Sequence, residues 1–327
     1  MIKPDISAIM IVYNGEKHIS EAIQSVLNQT FTNFELIIVN DGSTDSTKEI
    51  IEKYKNEDNR IRLLNNEMNK GLSYSRNLAV MQANSDIIAV TDSDDINEWD
   101  RFEIQYNYLI NNPFVDVLGC SVSVINETNE KIDNWDYPVS NDEIKLKLKN
   151  SCIVANPTVL FKKKVFTEIN GYDKALTICE DWDFFVRASE KFNFFNLPDY
   201  KVKYRVHPKN ISKNKLEHTI TYSCYRSGYI DRSEAGLSIS ELIVKHPELR
   251  DKISEKIAQF YCYWINTYLK MGYKNSAEEL EKKVINEYFH FYSKASKASF
   301  FKQLSKIYFS NKLLIKGLSF LFRYICI

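Results

Sequence analysis

Four short apolar runs alternate with stretches of helical periodicity through the first hundred residues, and few folds accept that pattern. Ile6–Val12 (ISAIMIV) is a nearly continuous apolar run, as a strand covered on both faces requires. Ala22, Ile23, Val26 and Leu27 then recur at helical spacing. Phe34–Val39 is a second run, ending at Asn40-Asp41-Gly42-Ser43, a turn signal that also starts a helix. Ile61–Leu64 is a third run. Gly71 opens a helix through Ala83, and Asp86–Thr91 is the fourth run. Strands and helices of these lengths predict right-handed βαβ units and an α/β fold, with an open, mainly parallel sheet flanked by helices.

After residue 100 the pattern loosens. EWDRFEIQYNYLINN reads as a helix stopped by Pro113, and VDVLGCSVSVI as a pair of strands. Asp142–Asn150 reads as helix, and VANPTVLF as a strand interrupted at Pro157. Glu180–Lys191 reads as a helix with acids at its start, and Lys201–Val206 as a last strand. From about residue 214 the pattern is almost wholly helical. A length of 327 residues allows two domains, 1–213 and a helical C-terminal region 214–327.

Several classes are excluded. No two of the nine glycines lie closer than eight residues, so no G-x-G dinucleotide fingerprint, P-loop or G-x-S-x-G elbow can be written. The six cysteines never reach C-x-x-C spacing, which reads as reduced, buried thiols in a cytoplasmic protein. No H-x-x-x-H or Cys/His cluster offers a zinc site. A formal net charge of zero gives no reason to expect nucleic acid as a partner. No stretch of 18 apolar residues occurs, and the N-terminus lacks a small-residue cleavage site.

Ligands of open parallel sheets bind at the carboxyl ends of the strands. The first run here ends in Tyr13-Asn14-Gly15-Glu16, the second in Asn40-Asp41-Gly42-Ser43, and the fourth in Thr91-Asp92-Ser93-Asp94-Asp95. Turn and helix-start roles explain any one of these aspartates, but explain the set less well. Three aspartates within four positions form a hard-oxygen cluster suited to Mg²⁺ or Mn²⁺. An ion there neutralises a leaving diphosphate. Arg76, on the helix after Gly71, is a second candidate phosphate partner, or else a surface arginine.

VYNGEKHISEAIQSVLNQTFTNFELIIVNDGSTDST, NKGLSYSRN, DSDD, NPTVLFKKKVFTEINGYD, EDWDFFVR and YRVHPKNIS together resemble family 2 glycosyltransferases over about residues 5–213. The resemblance implies the GT-A fold and inverting transfer of one sugar from a nucleoside diphosphate, a UDP-sugar by family weight, to a hydroxyl. By motif it implies that Tyr13 and Asp41 meet the pyrimidine and that Arg76 orients the diphosphate. Asp92, Ser93 and Asp94 form the DXD segment at ribose and metal. Asp181 is implied as catalytic base with Glu180 beside it, and His207 as a residue approaching the metal. Processive members carry a Q-x-x-R-W segment and spanning helices; neither occurs here, which implies a non-processive hexosyltransferase. The acceptor implied is a glycan or lipid-linked glycan in surface polysaccharide synthesis. The rivals are a glycoside hydrolase, which also uses paired carboxylates, and an inactive sugar-nucleotide-binding subunit.

Charge divides unevenly along the chain. After Glu287 there is no acid, while Lys294, Lys297, Lys302, Lys306, Lys312, Lys316 and Arg323 supply seven positive charges. Phe300, Phe301, Leu304, Ile307, Tyr308, Leu314, Ile315, Leu318, Leu321, Phe322 and Ile325 recur at helical spacings beside them. The pattern reads as a basic amphipathic tail contacting the anionic inner face of the cell membrane, against a helix packed on its own domain or on a second copy in a homo-oligomer.

Overall fold

The computed structural model describes residues 3–176, 179–207, 216–231, 234–235, 237–289, 292–311, 313, 316–317 and 319–320. The chain forms two compact units, Met1–Val206 and His207–Ile327.

In the first unit the four apolar runs are strands: β1 Ile6–Val12, β2 Phe34–Asn40, β3 Ile61–Asn65 and β4 Ile87–Asp92. They pair in parallel in the order β3-β2-β1-β4. Between them run α1 Ile19–Leu27, α2 Thr47–Glu57 and α3 Leu72–Gln82. Buried Ile23 and Val26 of α1 and Ile51 of α2 pack with Ala8, Met10, Leu36 and Ile38 of the strands in one core. Register is what matters for a site. Val12 pairs with Asn40, and Ile11 with Asp92, so Tyr13, Asp41 and Asp92 leave the sheet at neighbouring strand ends.

The rest of the unit extends the same sheet. β5 Ile96–Asn97 is followed by α4 Arg101–Asn111, β6 Val117–Ile125, β7 Lys131–Trp135 and α5 Asn141–Leu148. β8 Leu160–Lys162, α6 Lys163–Glu168, α7 Glu180–Ser189 and β9 Phe194–Arg205 complete it. The nine-stranded sheet runs β3-β2-β1-β4-β8-β6-β9-β5, with β7 beside β6. β8 is antiparallel to both neighbours, while β6 and β9 are parallel. The sheet is therefore mixed: β1–β4 are parallel, as the opening alternation predicts, and the later strands bring the antiparallel pairs.

Three sequence expectations need correction. Val117–Ile125 is one strand, not a strand pair; its hairpin partner is β7. Gly119 marks a close approach rather than a turn, because a Cβ there would lie 2.2 Å from Asn196 Oδ1 on β9. β9 begins at Phe194, seven residues before the expected start at Lys201. Pro198 sits where the β6–β9 register shifts, so its missing N–H interrupts no ladder bond. At Pro157 the chain makes a single 3₁₀ turn, Asn156–Thr158, before the short β8.

Every described element of the second unit is helical: α8 Leu216–Arg226, α9 Ile239–Lys245, α10 Arg250–Lys270, α11 Lys274–Lys283, a π turn Val284–Tyr288 and α12 Lys294–Ser310. α10 is its centre, burying Ile253, Ile257, Tyr261, Ile265 and Tyr268 at helical spacing. In the basic tail Phe300, Phe301, Leu304, Tyr308 and Phe320 are buried, with Phe301 and Tyr308 against the Phe320 ring. These described residues of the apolar stripe thus face their own unit, whereas Lys302 and Lys306 are exposed. Lys312, Leu314, Ile315, Leu318, Leu321, Phe322, Arg323 and Ile325 lie outside the described residues. Among the described residues no helix is long and apolar enough to cross a membrane.

Candidate active site

The turn after β2 is built around Asp41. Its carboxylate is almost fully buried and accepts from Asn66 Nδ2 at 2.6 Å, Lys70 N at 2.9 Å and Gly71 N at 2.9 Å. Three of about four acceptor sites on the carboxylate thus hold the loop between β3 and α3. Sequence reasoning missed Asn66, since its only signal is a polar residue just after a strand. The same turn places Gly42 at φ +74°, where a Cβ would lie 2.5 Å from the Met68 carbonyl carbon. Gly42→Ala is expected to cost about 2–4 kcal/mol by combining strain and overpacking. Thermal unfolding of the variant measures this, and an unchanged midpoint would refute the tight turn.

Across the strand ends, Asn14 at φ 51° joins the two turns. Its N–H donates to Ser43 Oγ and its Oδ1 accepts from Thr44 N at 2.8 Å. Tyr13 beside it is 49% exposed, so a ring face is open to a ligand at this edge.

The acids after β4 form a crowded group. Asp92, Ser93 and Asp94 are half-buried, and Asp95 is buried. Burial, then the negative charges of Asp94, Asp181 and Glu180 working against Arg76, push Asp92 up to about 7. Burial and its two acidic neighbours also hold the Asp95 carboxyl well above the usual range. Asp95 Oδ1 accepts the Arg205 N–H at 2.8 Å, while Oδ2 is buried without a hydrogen-bond partner.

Arg76 is the hinge of the site. It is not a surface arginine: its side chain is 6% exposed, with Nη1 on Glu180 Oε1 and Nη2 3.7 Å from Asp92 Oδ1. It also lies over the Tyr172 ring, 5.6 Å from the centroid. Burial works against its charge, but Glu180 and Asp92 outweigh that and raise its pKa. Asn77, one residue along α3, grips Tyr172 through two 2.8 Å bonds, from its Nδ2 to the carbonyl and from the Tyr172 N–H to its Oδ1. Residues 104 apart in sequence, Arg76 and Glu180, are thereby brought together.

Glu180 and Asp181 open α7 behind Cys179, itself in the left-handed region at φ 59°. Glu180 is buried on Arg76, so its carboxylate faces the protein. Asp181 is half-buried and accepts from the Trp182 N–H at 2.7 Å. Burial first and the Glu180 charge second raise its carboxyl to about 6, against Arg76 and the helix N–H groups. Asp183, the last acid of EDWD, is instead a packing residue that accepts from Arg187 Nε at 2.7 Å. His207 is half-buried and is the first residue of the second unit.

The profile of the family described as Glycosyl transferase family 2 matches residues 7–169. An O-antigen biosynthesis glycosyltransferase of Escherichia coli, WbnJ, is 34% identical over 223 residues, 67% of this chain and 85% of that protein. The chain belongs to glycosyl transferase family 2. An uncharacterized glycosyltransferase of Methanocaldococcus jannaschii is 32% identical, covering 69% of this chain and 79% of that one. The fold is also that of Staphylococcus aureus TarS 1–349 solved with UDP, at TM-score 0.54 and 21% identity, over 86% of this chain and 88% of that fragment. Against a longer TarS chain the match spans 48% of its length. The mannosyltransferase PcManGT of Pyrobaculum calidifontis, solved with GDP-Man and Mn²⁺, gives TM-score 0.57 at 11% identity, over 99% of this chain and 88% of that one. The family 2 chain is thus a glycosyltransferase, and the glycoside hydrolase reading is set aside.

The donor set of the acidic loop fits a hard divalent cation. Burial first and neighbouring negative charge next raise the Asp92 and Asp95 carboxyls, the buried Asp95 Oδ2 has no hydrogen-bond partner, and the acid side chains of the loop offer only oxygen. Among the described residues no three His, Cys, Asp or Glu side chains form a ready metal cage. The protein therefore offers Asp92 and Asp94, and a nucleotide diphosphate and water would complete the shell.

Proposed function

We propose that this enzyme transfers one sugar from a UDP-sugar, with inversion, to a hydroxyl of a glycan or lipid-linked acceptor in surface polysaccharide synthesis. The observation that carries the reading is the Arg76 bridge, which joins the acid cluster after β4 to the acids that open α7. The UDP bound to TarS and the O-antigen role named for WbnJ support the donor and the setting. Residues 1–213 form the nucleotide-sugar and catalytic domain, and 214–327 the helical region.

Tyr13 stacks on the base, and Asp41 offers its remaining acceptor site to a pyrimidine N–H. Asp92, through Ser93, reaches the ribose, while Asp92 and Asp94 would hold Mn²⁺ or Mg²⁺. When bound, that ion supplies positive charge to the leaving diphosphate. Arg76 orients this edge through Asp92 and fixes Glu180. Asp181 takes the proton from the acceptor hydroxyl as its oxygen bonds the anomeric carbon, and the bond to the diphosphate breaks. A carboxylate whose pKa is raised to about 6 is a stronger base than an ordinary aspartate, and it is ionised at neutral pH.

A screen of UDP-, GDP- and dTDP-sugars with Mn²⁺ tests the donor class. UDP release is expected; turnover confined to GDP- or dTDP-sugars would overturn the uridine assignment, and no turnover of any donor would indicate an inactive subunit.

For the tail, burial of Phe300, Phe301, Leu304 and Tyr308 makes electrostatic contact through the exposed Lys302 and Lys306 the route to an anionic membrane for the helix Lys294–Ser310. The full chain is expected to float with phosphatidylglycerol vesicles at low salt and to detach by about 0.5 M salt. Binding that survives such salt would mean apolar insertion, and no flotation in low salt would remove the membrane role and favour self-association.

A further inference from the structure

The geometry points to Arg205 as a positioning residue that sets how tightly the Asp92–Asp95 loop holds its divalent cation, an inference that rests on the metal assignment above. Arg205 ends β9, and its side chain is 1% exposed. Nε donates to the Asp94 carbonyl at 2.8 Å, and the backbone N–H to Asp95 Oδ1 at 2.8 Å. The chain just after the Asp94 side chain is thus tied twice to one residue. The rest of the guanidinium is anchored in turn. Nη2 donates to Glu21 Oε2 on α1 at 2.6 Å, and Nη1 to Asn129 Oδ1 and the Asn126 carbonyl in the β6–β7 hairpin.

The loop needs such a fixture. Asp92, Asp94 and Asp95 are three carboxylates within four positions, so their like charges would spread an unheld segment apart. The fork of the guanidinium, with donors in one plane, can hold the carbonyl and two further elements at once; an ammonium cannot. Arg205→Lys keeps the charge and removes the fork, which separates positioning from simple charge balance. Groups that orient metal ligands without touching the metal commonly contribute 10- to 100-fold in affinity.

Mn²⁺ binding in the presence of UDP, followed on the full-length protein by the paramagnetic resonance signal of free Mn²⁺, tests the inference without turnover. Arg205→Lys is expected to weaken Mn²⁺ binding about tenfold. Glu21→Ala and Asn129→Gly each remove one anchor and are expected to weaken it about threefold by the same indirect route. Glu21 is 40% exposed, and Asn129 sits at φ 63° where glycine keeps the backbone, so both folds should persist if Arg205→Lys does not. A purely structural arginine would lower the thermal midpoint and leave Mn²⁺ affinity unchanged in all three variants, which overturns the inference. No Mn²⁺ binding by the unaltered protein would instead overturn the metal assignment, and this inference with it.

Discussion

Asp181→Asn leaves UDP affinity within about twofold of the unaltered protein but lowers kcat for transfer by about 10²–10⁴, the range for losing a general base. The amide keeps the shape of the carboxylate and its contact with the Trp182 N–H. It cannot accept the proton of the acceptor hydroxyl. Isothermal titration with UDP and a steady-state transfer assay separate the two effects. With Asp181 as the proposed base, the same residue is expected to set the acid limb of the pH profile. Its carboxyl is raised to about 6, so the base is ionised above that pH and protonated below it. The rate therefore falls as pH drops through about 6, and an unperturbed aspartate would hold the rate down to about 4. Substantial turnover by Asp181→Asn, or a flat profile from pH 7 to 5, would place the base elsewhere.

Asp94→Ala is the second large effect. Removing it deletes one of the two carboxylates proposed to hold the metal and relieves repulsion on Asp92 and Asp95. UDP release with Mn²⁺ is expected to fall by about 10²–10³, the scale of losing one charge-stabilising group at a reacting centre. The thermal midpoint is expected to hold or rise, because a crowded acid has gone. Loss of activity with loss of folding would mean that Asp94 is structural. Full activity of the unaltered protein in EDTA would remove the metal from the mechanism.

The first half of the sheet was legible because burial on both faces leaves a readable mark. Ile6–Val12 and Phe34–Asn40 are buried at almost every position, and an apolar run is all the sequence needs to announce that. The acids after these strands were legible for the same reason, since a strand end fixes where the next residue emerges. β5, with two residues, and β7, with every residue exposed or half-buried, leave no such mark. VDVLGCSVSVI reads as two strands but is one, and its Gly119 lies at a close approach to Asn196 of β9.

What the sequence concealed at the site is long-range pairing. Nothing local says that Arg76 turns inward to Glu180, or that Arg205 reaches the Asp94 carbonyl 111 positions away. An arginine at a helix surface and one inside a paired cluster read alike along the chain. Asp41 shows the converse: its position was plain, but three of its acceptor sites serve Asn66, Lys70 and Gly71. In the tail, periodicity revealed an apolar face without saying what covers it, and Phe300, Leu304 and Tyr308 are covered by their own unit.

The most direct measurement of the central claim needs no acceptor. With Mn²⁺ and an α-linked UDP-sugar, slow transfer to water can be followed by proton NMR before the released sugar mutarotates. Single displacement with Asp181 as base requires the β-anomer first. The α-anomer as first product would contradict it.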